Sequence, residues 1–221
     1  MSFYPSYKKQ FDSLSNKQKK TLNKIPYLEK IDGWLLLIEA TELFDLSSQI
    51  KTSNPVVCEI GTWKGKSSYV FASAIKEKNG TLYAVDPFNG EGDEASNDIY
   101  HKEVKKIGTP LLKNFEKTMT KYGLRKYIKV LPLLSEDARL KFFEPKINLL
   151  FIDGNHEYES VKKDYELWSG LIPSGGTIVL HDVNAVHVDG PKRIMEEHIS
   201  NSPSCWKNVR IVGEMAIATR I

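Results

Sequence analysis

Short apolar runs, separated by stretches of helical period, organise most of this chain. Five stand out: Val56–Ile60, Gly80–Val85, Ile128–Leu134, Ile147–Ile152 and Gly175–Leu180. Each is too short for a buried helix and rich in Val, Ile and Leu, so each predicts a strand covered on both faces. Strands that alternate with helical segments predict a parallel sheet with helices on both sides. The runs give way to polar residues at their C-terminal ends, and those residues should therefore gather along one edge. In open α/β sheets that edge is where ligands bind.

The ends of the chain depart from this alternation. Lys17–Lys24 is polar with helical character, Ile25-Pro26 interrupts it, and Trp34–Ile50 predicts an amphipathic helix with Leu35, Ile38, Leu43, Leu46 and Ile50 apolar. Residues 1–50 thus form a helical prefix to a main domain over 51–221. The prefix either closes over bound ligands as a lid or simply packs on the sheet. Between Pro87 and Gly108 the chain turns polar and acidic, notably over Asn89–Asp98, which predicts a long loop leaving the same strand end as Asp86, either a cap over a substrate or a merely disordered loop. Helical period resumes at Leu111, Leu112, Phe115, Met119 and Tyr122. Tyr158, Val161, Trp168 and Leu171 share a helical spacing that reads as packing. Trp206–Thr219 predicts two strands around Gly213, an antiparallel hairpin.

Composition narrows the picture only a little. The 221 residues, 41% of them hydrophobic, can bury one sizeable core. A net charge of +3 from 31 basic and 28 acidic residues argues against nucleic acid, which needs a concentrated basic face. The early lysines, Lys8, Lys9, Lys17, Lys19, Lys20 and Lys24, read as a solvated helix face. Cys58 and Cys205 give neither a disulfide framework nor metal-ligand spacing. Met1–Tyr7 lacks an apolar stretch of signal length and no window approaches a membrane span, so a cytoplasmic protein without membrane partners is expected. A monomer and a homo-oligomer remain equally open.

The densest chemical signal is Val56–Ser68, a strand that turns sharply on glycines into a helix. Such a junction brings backbone close to a ligand and offers the unpaired N–H groups of a helix start. Trp63 and Lys66 stand where a dinucleotide fingerprint requires glycine, and the spacing also fails the phosphate-binding P-loop. What stands here, Glu59-x-Gly61-x-x-x-Gly65-x-Ser67, resembles motif I of the class I S-adenosylmethionine-dependent methyltransferases. Asp86 ends the second strand, placed to accept hydrogen bonds from both hydroxyls of a ribose. The segment Phe151-Ile152-Asp153-Gly154-Asn155-His156-Glu157-Tyr158-Glu159-Ser160-Val161-Lys162-Lys163-Asp164, with Trp168, Gly175-Gly176 and His181-Asp182, is similar to the small bacterial family of sugar and macrolide O-methyltransferases and the cephalosporin-tailoring relatives. The likeness runs from about Asp32 to the C-terminus.

That resemblance implies an α/β, Rossmann-like doubly wound sheet, mostly parallel and seven-stranded, completed by the C-terminal antiparallel hairpin. It implies S-adenosylmethionine as cofactor and a small hydroxylated acceptor, a sugar or similar metabolite. Glu59, Gly61 and Gly65 would surround the amino-acid end and sulfonium, Asp86 the ribose, and Ser135 with Glu136 the adenine edge, with Thr62, Ser67 and Asp153 also among the cofactor contacts; Trp63 and Phe88 either stack on the nucleoside or fill the core.

For chemistry, Asp153 and Asp182 end the fourth and fifth strands and should be neighbours. Two carboxylates with room for water suit Mg²⁺, which would acidify and orient a substrate hydroxyl. Catechol-type and sugar O-methyltransferases place a third acidic or amide ligand just after the second aspartate, whereas this chain has Val183 there and His181 before it. Both a metal-assisted and a metal-free reaction therefore stay open. His156 stands three residues after Asp153, where the catechol-type enzymes carry a lysine base, and an imidazole titrating near neutrality could take the hydroxyl proton. His156, Asp153 and His181 are thus the catalytic candidates, against the alternative that the histidines only shape loops.

Two other readings compete. Gly154-Asn155-His156-Glu157 matches one element of the metallophosphoesterases, but their other metal-binding motifs are missing from the sequence. A methyltransferase-like module that binds a nucleoside without turnover is the second, because fold does not fix function.

Overall fold

A computed structural model describes residues 5–94 and 96–221. Residues 1–4, the start of the expected prefix, and residue 95, within the expected acidic loop, lie outside the described residues. The five strands appear where the apolar runs predicted them: β1 Val56–Ile60, β2 Thr81–Val85, β3 Ile128–Leu131, β4 Leu149–Ile152 and β5 Thr177–Leu180. The C-terminal hairpin is β6 Trp206–Val212 and β7 Met215–Arg220. They form one seven-stranded sheet in the order β3-β2-β1-β4-β5-β7-β6. β1 to β5 pair in parallel, and β7 enters antiparallel between β5 and β6. The strand order reverses at the β1/β4 junction, and crevices at such points receive ligands.

Side chains alternate across the strands, so each strand feeds two cores. On one face Val57, Ala84, Phe151, Val179 and Ile217 pack under the helices α3 Leu37–Ser48, α4 Lys66–Ile75 and α6 Leu111–Lys121. On the other, Cys58, Val85, Leu150, Ile178 and Ala218 meet α7 Ser135–Leu140, α8 Tyr158–Trp168 and α9 Gly190–Ile194. Trp168 and Val161 are buried there, as their spacing predicted. Among the described residues no helix is long and apolar enough to cross a membrane.

The prefix holds two shorter helices, α1 Tyr7–Ser13 and α2 Asn16–Leu22, before α3. Ser15 and Gln18 cap the second reciprocally, Ser15 Oγ accepting the Gln18 N–H and Gln18 Oε1 accepting the Ser15 N–H. Leu14, Leu22, Ile25, Leu28 and Ile31 enter the same core as α3 and α4. The helix expected from Trp34 begins only at Leu37, because Leu36 is extended and the Glu39 carboxylate reaches back to its N–H at 2.7 Å.

One expectation needs correction. The stretch 87–108 is a loop only in its first half, since Asn97–Ile107 forms a helix, α5. Tyr100, Val104 and Ile107 make a thin stripe at helical spacing that the acidic residues before it concealed. Tertiary packing of Tyr100 against two tryptophans makes the helix worthwhile.

Candidate functional site

The turn after β1 is built on two glycines in left-handed conformations. Gly61 has φ +85°, and a Cβ there would lie 1.9 Å from the Asp153 carbonyl oxygen, so only glycine lets β1 and β4 end side by side. Gly65 has φ +89°, and a Cβ there would strike Phe115 and Met119. Beside the turn opens a cleft of about 400 Å³, within the usual range for small-ligand sites.

Eleven of the residues singled out from sequence line this cleft: Gly61, Thr62, Trp63, Ser67, Asp86, Ser135, Glu136, Asp153, His156, His181 and Asp182. Three others do not reach its wall. Glu59 is fully buried beneath α4 and accepts a hydrogen bond from Ser68 Oγ. Burial pushes its pKa up to about 8, against the hydrogen bonds of Ser67 and Ser68, so it is a neutral acid at neutral pH. Gly65 is covered by α6, and Phe88 is buried against Phe115 at 5.4 Å. Strand alternation explains Glu59: it shares the α4-facing side with Val57, and only the residues after Ile60 escape the sheet.

Asp86 is placed differently from the expectation of a carboxylate free for a ribose. Its Oδ2 accepts the N–H groups of Thr62 and Trp63, both at 2.8 Å, and its Oδ1 accepts that of Phe88 at 2.6 Å. Burial raises its pKa, and these three donors oppose the rise. The carboxylate thus pins the glycine turn while still lining the cleft. Ser135 accepts a bond from Trp168 Nε1 at 2.9 Å, and Glu136 pairs with Lys163 at 2.7 Å on the cleft rim. Asp164 lies near them, its pKa raised to about 6 by burial against a hydrogen bond from Ser135.

At the other end of the cleft, two aspartates and two histidines converge. His181 Nδ1 lies 3.1 Å from Asp153 Oδ1 and 3.2 Å from Asp182 Oδ2. His156 Nε2 lies 3.1 Å from Asp182 Oδ2 and 3.7 Å from Asp153 Oδ1. These are ion-pair distances without hydrogen-bond geometry, and both nitrogens are buried with no hydrogen-bond partner. The outer nitrogens are held instead: His156 Nδ1 by Asp93 at 2.9 Å and His181 Nε2 by Glu39 at 3.3 Å. Burial opposes protonation of both imidazoles, but the surrounding carboxylates outweigh it and raise both pKa values well above the ordinary range. The histidines correspondingly hold Asp182 far below the usual carboxylate range despite its burial. Asp182 has φ +57° and Trp63 φ +49°, conformations that cost about 1–3 kcal/mol and collect at functional sites. Val183, which stands where related enzymes place a third ligand, is buried and offers no donor side chain.

Sequence reasoning missed several members. Glu39 comes from α3 and is completely buried; its signal was an acid spaced four residues from both Leu35 and Leu43, on the apolar stripe itself. Asp93 lay hidden in an acidic run. Over the cleft, Trp34 of the prefix stacks on Trp63 with centroids 5.5 Å apart, and Tyr100 of α5 meets both edge-on. The prefix and the 87–108 segment therefore both contribute to the cover.

Residues 58–183, more than half of the chain, match a family model described as a methyltransferase domain. Among solved structures, the O-methyltransferase NovP is similar with a TM-score of 0.66 and 14% identity, over 83% of this chain and 80% of that one. The S-adenosylhomocysteine-bound methyltransferase PaMTH1 of Podospora anserina gives 0.62 and 13%, over 100% and 99%. The O-methyltransferase TomG of Streptomyces achromogenes, solved with S-adenosylmethionine, gives 0.60 and 13%, over 94% and 91%. At such identities these structures speak for the shared fold, and the family match over the strands and turns that build the cleft carries the assignment: the chain belongs to the methyltransferase domain family.

Proposed function

We propose that this methyltransferase takes its methyl group from S-adenosylmethionine and transfers it to a hydroxyl oxygen of a small metabolite, a sugar or similar compound. The observation that carries this reading is the meeting, in one cleft, of a glycine turn pinned by Asp86 with the Asp153, His156, His181 and Asp182 cluster. The residues present fit the cofactor. Thr62 Oγ1 and Trp63 Nε1 are buried without partners at the turn, and a carboxylate has about four acceptor directions, of which Asp86 uses three. The remaining direction suits a ribose hydroxyl. Gly61 and Thr62 would flank the amino-acid end, and Ser135 with Glu136 the adenine edge.

The cofactor supplies an electrophilic methyl carbon bonded to a positively charged sulfur. Transfer of that carbon to the acceptor oxygen would leave the S–C bonding pair on sulfur as a neutral thioether. The hydroxyl proton leaves by way of the Asp153 carboxylate, whose side chain is 21% exposed, to solvent. A divalent ion held by Asp153, His181 and Asp182, whose donor atoms all lie within 4.8 Å of one another, would make that hydroxyl more acidic. His156 was the sequence candidate for the base, yet the carboxylates around it raise its pKa well above the ordinary range against its burial, which favours its protonated form over a base, so we assign it to holding this centre together. Trp34, Trp63 and Tyr100 close the cleft from above and exclude water from the transfer.

The test is incubation with methyl-labelled S-adenosylmethionine and a panel of sugars, phenols and other alcohols, following S-adenosylhomocysteine release. Label recovered as a methyl ether supports the reading. Binding of the cofactor with no transfer to any class of hydroxyl would favour the non-catalytic module instead.

A further inference from the structure

Where α7 and α8 meet the cleft, its wall holds a buried acid that the methyl transfer itself does not use. Asp164 lines the cleft although it is only 6% exposed. Lys163, the cation beside it in the chain, is taken by Glu136 on the rim at 2.7 Å. The hydrogen bond that Asp164 does receive comes from Ser135. That hydroxyl accepts the Trp168 Nε1–H at 2.9 Å, which leaves its single proton to give to the carboxylate. Because Trp168 is fully buried, the chain from Trp168 through Ser135 to Asp164 runs in one direction only. Gly154 also lines the cleft, and a Cβ there would touch Asp164 Oδ2 at 3.5 Å, so the missing side chain keeps that oxygen open to a ligand. A pKa of about 6 leaves the carboxylate mostly ionised at neutral pH, and a buried ionised group needs a further donor. Ile60, Val85 and Leu133 line the same cleft with apolar surface, as the faces of a flat base require.

We infer that Asp164 reads the exocyclic amine of the cofactor's base, so that the protein takes S-adenosyl ligands and rejects those in which a carbonyl replaces that amine. The inference rests on the reading of the cleft as an S-adenosylmethionine site. An ionised carboxylate only accepts hydrogen bonds, so an amine matches it, whereas a carbonyl oxygen in the same place sets two acceptors against each other. Neither neighbour can discriminate as sharply. A serine hydroxyl can turn to accept from an amine or donate to a carbonyl, and that of Ser135 is already engaged by Trp168 and Asp164. The Glu136 side chain is 40% exposed and paired with Lys163, where water and the ammonium weaken any preference. A buried group built to pair with one partner rejects the mismatched analogue far more strongly than an apolar wall does.

The experiment is calorimetry on the full-length protein at neutral pH with S-adenosylhomocysteine and with S-inosylhomocysteine, its deaminated analogue. The expected result is that S-adenosylhomocysteine binds at least about tenfold more tightly, the effect of one hydrogen bond to a charged group. Asp164→Asn keeps the shape of the side chain but carries an amide that both accepts and donates, so it should bring the two affinities within about threefold of each other. Equal affinities in the unsubstituted protein, a preference unchanged in folded Asp164→Asn, or a preference lost in Glu136→Gln but kept in Asp164→Asn would each overturn the inference. The two ligands are compared on the unsubstituted protein, so the result decides even if a variant fails to fold. Both ligands bound alike would sink the role of Asp164 alone, whereas neither ligand bound would sink the S-adenosylmethionine reading on which it rests.

Discussion

Single residues in this protein serve the site mostly by holding something else in place. Asp86 was legible in the sequence as an acid at a strand end, but its occupation by three backbone N–H groups was not, since those donors exist only once the turn has formed. Asp86→Ala should therefore lower affinity for S-adenosylhomocysteine by roughly ten- to a hundredfold, the loss of one hydrogen bond to a charged group, and lower stability by about 1–3 kcal/mol through its unpaired donors. Calorimetry and denaturant unfolding read the two effects separately, and unchanged affinity in a folded variant removes the ribose assignment. Glu59 makes a different prediction. Its folded pKa of about 8 lies above the unfolded 4.5, so the folded state binds the extra proton and stability falls as pH rises between those values. The slope contributed is at most about 1.4 kcal/mol per pH unit. Glu59→Gln keeps a neutral hydrogen-bonding group there and should flatten the stability profile between pH 5 and 8, which thermal unfolding across that range would reveal.

At the scale of elements, the strands and the glycine turn were readable because their patterns are local: apolar runs of strand length, and glycines where the chain must turn left-handed. The helix over Asn97–Ile107 was not, because none of its residues is fully buried and its reason for existing is Tyr100 against Trp34 and Trp63. The link before α3 was misread for a related reason, as Trp34 leaves the helix to join that cluster. Trp34→Ala should accordingly act on the cleft more than on the fold. An aromatic pair contributes about 0.5–1.5 kcal/mol, so unfolding free energy should drop by no more than that. Affinity for cofactor or acceptor should fall about tenfold as the cover opens; equal loss in stability and no change in binding would show the cluster to be packing alone.

On the scale of the whole molecule, the sheet joins the two chain ends at the site. β7 carries Met215, Ala216, Ile217 and Ala218, all buried, between β5 and β6, and the Glu214 N–H in the hairpin turn binds Glu39 of the prefix. Removing residues 206–221 should therefore unfold the chain rather than trim it. Burying Met215 and Ile217 alone contributes about 3–6 kcal/mol, a large share of the 5–15 kcal/mol typical of a domain. A cooperative unfolding transition by circular dichroism in the truncated chain would contradict this. The sequence by itself determined which runs are strands of a mostly parallel sheet, where the turn lies, and that Asp86, Asp153, His181 and Asp182 end on one edge, because alternation and strand polarity are carried by neighbouring residues. Only the tertiary structure decided which acid faces which histidine, since Glu39 meets His181 across 142 positions and Asp93 meets His156 across 63. Contacts at such separations leave no periodic trace in the chain; they arise when packing excludes water and a buried nitrogen must be given a partner.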